Sequence, residues 1–122
     1  MLRTLADGHP LRVSSRPDFE FGELRLRVVD LFAGCGGLTL GVAQAARACG
    51  WGIDVVLALD TDSSAISVYE VNFPKAHVRS QQVEDIFDGA LGQKFSDAER
   101  TSAREIGVVH ALVGGPPPPT HP

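Results

Sequence analysis

Cysteine is scarce: Cys35 and Cys49 are the two thiols in 122 residues. That is too few for a disulfide framework, and reduced thiols fit a cytoplasmic location. Cationic charge is short as well. Eleven Lys and Arg against 15 Asp and Glu leave a formal net charge of -4, with a pI near 5.4. The broad positive face that phosphate-backbone binding needs is therefore missing, and if DNA is a partner its main docking surface lies elsewhere. No apolar run exceeds strand length, so neither a membrane span nor a secretory leader can be assembled. His77, His110 and His121 are spaced unlike any metal-ligand set, which argues for no metal. Internal repeats are absent too. With 43% hydrophobic and 21% charged residues, the chain has the composition of one small soluble globular domain with a single core.

What the chain does have is glycine in one informative place. Asp30 to Gly41, DLFAGCGGLTLG, joins the end of a hydrophobic segment to a glycine-dense turn and a helix. Gly34, Gly36 and Gly37 permit positive φ and a close approach of backbone to ligand. Leu38, Val42, Ala45 and Cys49 fall on one helical face and are predicted to pack on a sheet.

Residues 1–23 carry Gly8, Pro10, Pro17 and Gly22 among mixed charges without periodicity, which predicts a flexible leader. From there to residue 117 the segments alternate. LRLRVVDLF (24–32) reads as a strand entering a parallel sheet, and residues 37–49 as a helix stopped at Gly50. IDVVLAL (53–59) is a second buried strand. Asp62 caps the next helix, whose inward face is Ile66, Tyr69 and Phe73 and whose end is marked by Pro74. Residues 76–79 predict a short third strand. Ser96 and Glu99 form a capping box for a helix over 96–106 that Gly107 closes, and VVHALV (108–113) is a further strand. Four prolines follow Gly115 and favour an extended tail over 118–122. This order predicts an α/β, Rossmann-like parallel sheet of about four strands with flanking helices. Ligands bind such sheets at the carboxyl ends of the strands, where residues 32–37, 60–62 and 114–117 converge.

The cradle does not match a dinucleotide fingerprint, because Thr39 stands where G-x-G-x-x-G needs its third glycine. Asp60, 24 residues after Gly36, sits where a carboxylate can accept hydrogen bonds from both ribose hydroxyls, or else serve only as a loop carboxylate.

On these residues the chain resembles the DNA (cytosine-5) methyltransferases, which use S-adenosylmethionine. Asp30 to Gly37 is similar to the family's first motif, in which Phe32, Ala33, Gly34, Cys35, Gly36 and Gly37 would hold the methionine portion of the cofactor. Asp60-Thr61-Asp62 with YEVNFP (69–74) resembles the second motif, whose ribose-binding acidic residue is more often glutamate. Gly114-Gly115-Pro116-Pro117 resembles the start of the fourth. For the third, Asp85-Ile86 would face the adenine, with Gln82-Val83 as the alternative placement. The resemblance covers residues 24–117 and implies DNA as partner.

The family's chemistry adds a cysteine thiolate to C6 of cytosine so that C5 attacks the methyl group. Its fourth motif continues Pro-Cys-Gln, whereas here Pro117 is followed by Pro118 and Pro119. Proline has no nucleophile and no backbone N–H, so no catalytic residue is assigned. Cys35 at a helix N-terminus is read as packing, since a thiol beside the methionine portion would face the wrong side of the methyl group. The later glutamate and arginine motifs and the target-recognition region have no counterpart before Pro122. The expectation is a truncated or frameshifted chain that binds cofactor and is inactive alone. Two alternatives stand beside it: a non-catalytic nucleoside-binding module, and a split enzyme whose partner chain supplies the cysteine.

Overall fold

The alternating, then continuously apolar segment near the head of the chain becomes an inner strand of the sheet. The computed structural model describes residues 15–116. β1 (Arg25–Asp30) lies between β2 (Gly52–Asp60) and β4 (Ala111–Val113), with β3 (Val78–Ser80) outside β2. Every pairing is parallel. The fold is therefore α/β with four parallel strands in the order β3-β2-β1-β4, and all four strands end at the same edge.

Helices α1 (Gly37–Ala48) and α2 (Ser63–Asn72) are the crossovers from β1 to β2 and from β2 to β3, and α3 (Asp97–Ile106) precedes β4. On one face Val28, Ile53, Val55 and Ala58 pack against Ala43, Ile66, Tyr69 and Phe73. On the other, Val29, Leu57 and Leu59 meet Ile86 and Ile106. Strict alternation would not divide β2 this way. The register slips between Val28 and Val29, so that Val28 faces Val55 while Val29 faces Leu57. Val56 is the extra residue of a bulge, which reverses which face each later residue of β2 addresses.

The predicted caps form. The Asp62 carboxylate accepts from the amides of Ser64 (2.9 Å) and Ala65 (3.3 Å). Ser96 and Glu99 make their reciprocal box, and Gly107 ends α3 at φ 71°. Ile66, Tyr69 and Phe73 point inward as their spacing requires.

Three expectations need correction. The buried face of α1 is Thr39 and Ala43, flanked by Leu40, Val42 and Ala46, while Leu38, Ala45 and Cys49 are exposed. The helix is rotated by one residue, about 100°, because Thr39 has polar partners inside and a pattern built on apolar residues misses it. Second, β4 begins at Ala111 rather than at residue 108. The Arg27 amide donates to the His110 imidazole Nδ1 (2.9 Å) in place of a backbone carbonyl, while the Arg27 guanidinium takes the carbonyls of Ile106 (2.5 Å) and Val108 (2.7 Å), so the ladder cannot start earlier. Third, the later part of the expected leader is docked. Phe19 is buried, its carbonyl accepts from Ile53 N (2.8 Å), and Arg16 pairs with Glu20 while lying over the Phe19 and Phe73 rings. Residues 1–14 and 117–122, including the expected tail and Pro118, lie outside the described residues.

Candidate cofactor-binding cleft

Each strand hands its next residues to one cleft of about 570 Å³, a size within the usual range of small-molecule sites. Leu31, Phe32 and Gly34 come from the end of β1, and Asp60 and Thr61 from the end of β2. Gln81, Gln82, Val83 and Glu84 follow β3, and Gly115 follows β4.

The glycine turn is built by two glycines with different tasks. Gly34, at φ 52°, has open space where a Cβ would stand, so a ligand can lie against its backbone. Gly36, at φ 100°, begins α1, and a Cβ there would sit 2.9 Å from the Phe73 ring and 3.2 Å from Tyr69. Its smallness serves the packing of α1 on α2. Ala33 is buried and its amide bonds Leu59 O (2.8 Å). Asn72 Nδ2 donates to the Cys35 carbonyl (3.1 Å) and pins the crest of the turn. The Cys35 side chain is exposed. α1 has no side-chain cap and no acidic residue in its first turn, so the positive end of its dipole stays open.

Asp60 ties the two strand ends together. Its Oδ2 accepts from Gly34 N (2.9 Å) and its Oδ1 from Asp62 N (2.8 Å). A carboxylate oxygen can accept two hydrogen bonds, so each retains one site for a ligand donor such as a ribose hydroxyl. Phe32 lies below Gly114, where an added Cβ would stand 3.2 Å from the ring.

Beneath the turn lies a buried polar cluster. Thr39 Oγ1 donates to Asp30 Oδ2 (2.7 Å) and is 2.8 Å from the Tyr69 hydroxyl. Burial pushes the Asp30 carboxyl above its ordinary range. The Thr39 hydroxyl and the nearby Phe32 amide oppose that rise, and the charge of Asp60 adds to it. Burial likewise raises the Tyr69 phenol.

Of the residues singled out from sequence, Phe32, Gly34, Asp60 and Thr61 line the cleft. Ala33, Gly36 and Gly37 form the turn and helix start behind it. Pro116 is exposed one residue past Gly115. Asp85 is not in the lining. It closes a short 3₁₀ turn, Val83–Asp85, with its carboxylate accepting from Gln82 N (3.1 Å), and the alternative pair Gln82-Val83 faces the cleft instead. Gln81 and Glu84 went unnoticed in sequence. The signal was available, because they follow the third strand at the ligand-binding edge. A larger cavity of about 710 Å³ near the start of β2 and β3 is walled by charges that already pair, among them Asp54 with Arg25 and Arg79 with Glu105. Among the described residues no cluster of three or more His, Cys, Asp or Glu side chains is placed to hold a metal. Nor is any helix long and apolar enough to cross a membrane.

A parallel sheet with an uncapped helix start and a carboxylate at adjacent strand ends is a Rossmann-like arrangement, a class of fold in which ligands sit at the carboxyl ends of the strands. The chain belongs to the C-5 cytosine-specific DNA methylases, whose family model matches residues 26–118. It is similar to the type II methyltransferase M1.BsuMI of Bacillus subtilis (strain 168), 34% identical over 116 residues that make up 95% of this chain and 27% of that protein. It is also similar to the type II methyltransferase M.XorII of Xanthomonas oryzae pv. oryzae, 35% identical over 73% of this chain and 18% of that protein. A third relative, M.HgiGI of Herpetosiphon aurantiacus, is 44% identical over 48 residues, 39% of this chain and 33% of that protein. The chain thus spans about a quarter or less of the length of the first two.

Proposed function

We propose that this chain is the S-adenosylmethionine-binding part of a DNA cytosine C5 methyltransferase, and that by itself it binds cofactor without turning over. The observation that carries the reading is Asp60, which braces the glycine turn through Gly34 N (2.9 Å) and keeps a free acceptor site on each oxygen. The residues present fit an adenosyl group. Asp60 accepts from the ribose hydroxyls, Gly34 lets the ligand contact backbone, and Gln81, Gln82 and Val83 border the base end of the cleft. The open start of α1 favours the negatively charged carboxylate of the methionine portion. When bound, the cofactor supplies an activated methyl group on a sulfonium.

Absence of turnover follows from position 118. The family's thiolate is replaced there by a side chain that cannot add to C6. Cys35 does not substitute for it, since its place on the glycine turn is the cofactor side of the site. The net charge of -4 also leaves DNA engagement to surface beyond these residues. We read the prolines from Pro118 onward as a departure from the family's frame, and the type II relatives support a restriction-modification setting.

Titration calorimetry of the full chain with S-adenosylmethionine, NAD and ATP tests the binding, and a methyl-transfer assay on DNA tests the inactivity. The expected outcome is saturable binding of S-adenosylmethionine alone, weakened at least tenfold in Asp60→Ala, with no methyl transfer. Equal binding of NAD, or measurable turnover, contradicts the proposal. Sequencing the DNA downstream of codon 118 tests the frame: if the other frames lack the family's remaining motifs, that part of the reading fails.

A further inference from the structure

The most deeply buried polar groups lie under the glycine turn rather than in the cleft. Asp30, Thr39 and Tyr69 have no solvent exposure, and they come from β1, α1 and α2 respectively. A hydroxyl has one proton to give, and Thr39 gives its own to Asp30 Oδ2, so Tyr69 must donate to Thr39. The chain of hydrogen bonds therefore has a direction, and it ends on a carboxylate whose other oxygen, Oδ1, has no partner among the described residues. An interior carboxylate with a single side-chain donor is costly. Apolar side chains would join the same three elements at lower cost, so stability alone does not account for the cluster.

We propose that Asp30, Thr39 and Tyr69 are positioning residues for the cofactor turn, holding Gly34, Gly36 and the open start of α1 in the one geometry that the ligand meets. This deepens the cofactor reading above and rests on it for the identity of the ligand. Gly36 is stacked on the Tyr69 and Phe73 rings with no room for a methyl group. The Tyr69 ring is in turn held by its hydroxyl bond to Thr39 (2.8 Å), while Asn72 of the same helix grips the Cys35 carbonyl. α2 thus clasps the turn at two points, and Thr39 fixes the inner one.

The groups facing Asp30 are Asp60 at the end of β2 and Tyr69 from α2. α1 contributes only the uncharged Thr39, and β4 brings Val113 opposite it. Removing the Thr39 hydroxyl takes away the one side-chain donor to the ionised carboxylate and leaves only the nearby Phe32 amide to favour its charge. The turn should then loosen as pH rises through the titration of Asp30, while protonation relieves it.

Amide hydrogen exchange followed by NMR on the full chain tests this, with parent, Thr39→Val, Thr39→Ser and Tyr69→Phe compared from acid to neutral pH. Thr39→Val is expected to speed exchange of the Gly34 and Gly36 amides about tenfold relative to those of Leu57 and Leu59 in β2, with the excess growing as pH rises. Thr39→Ser should restore the parental behaviour. Parental exchange ratios and an unchanged pH profile in Thr39→Val overturn the proposal. If circular dichroism shows that variant unfolded, Tyr69→Phe, which keeps the ring and removes one donor, decides by the same readout. Calorimetry with S-adenosylmethionine separates the two readings. A turn that loosens in a chain with no parental binding leaves the positioning role standing and sinks the cofactor reading, whereas undiminished binding with a loosened turn sinks the positioning role.

Discussion

Single residues in the turn carry unequal loads, and substitution should expose the difference. Gly36→Ala forces a Cβ against Phe73 at φ 100°, so backbone strain and overpacking combine to destabilise by roughly 3 kcal/mol. Gly34→Ala meets no neighbour and should cost only about 1 kcal/mol; chemical denaturation measures both. Asp30 makes a prediction in pH. Its folded-state pKa is raised above 3.8 by burial. The native state therefore holds this proton more tightly than the unfolded chain, and stability from this group falls as pH rises from that value through the raised one. Asp30→Asn removes the effect. Its melting temperature should gain on the parent's over that window and hold the gain above it, and a difference independent of pH would contradict this account.

Among the elements, those that read clearly in sequence are those closed by local chemistry. Asp62, Pro74, Ser96, Glu99 and Gly107 mark ends that depend on a few neighbouring residues, and the structure places helix ends there. Asp62→Ala should therefore cost about 1 kcal/mol by denaturant titration, as two amides of α2 lose their acceptor. Features that depend on distant partners were not legible. The inward face of α1 turns on Thr39, whose burial makes sense only beside Asp30 and Tyr69. The docking of Arg16 to Glu20 rests on the Phe73 ring, more than fifty residues away. At the cleft, the glycine turn and Asp60 were visible from their spacing. Gln81 and Glu84 were not, and Gln82 stood only as an alternative to Asp85, because a three-residue strand and a 3₁₀ turn carry too little periodicity to fix a register.

The whole molecule shows an imbalance between its two faces. α1 and α2 seal one side of the sheet, while α3 buries only Ser102 and Ile106 on the other. Among the described residues β4 has no neighbour on its outer side, and Leu112 and Val108 stand 65% and 64% exposed. An unpaired edge with apolar side chains invites association. The isolated chain should therefore self-associate with rising concentration, and Leu112→Lys should suppress this in light scattering. Concentration-independent scattering by the parent would count against it. The bulge at Val56 has a consequence of the same reach. Asp60 faces the glycine turn only because β2 carries one residue more than β1 across the span in which the two are paired, so the aim of this carboxylate is a matter of arithmetic along the backbone. Shortening β2 by a single codon at that point would swing the acid to the far side of the sheet, and no side-chain exchange within the pocket could bring it back.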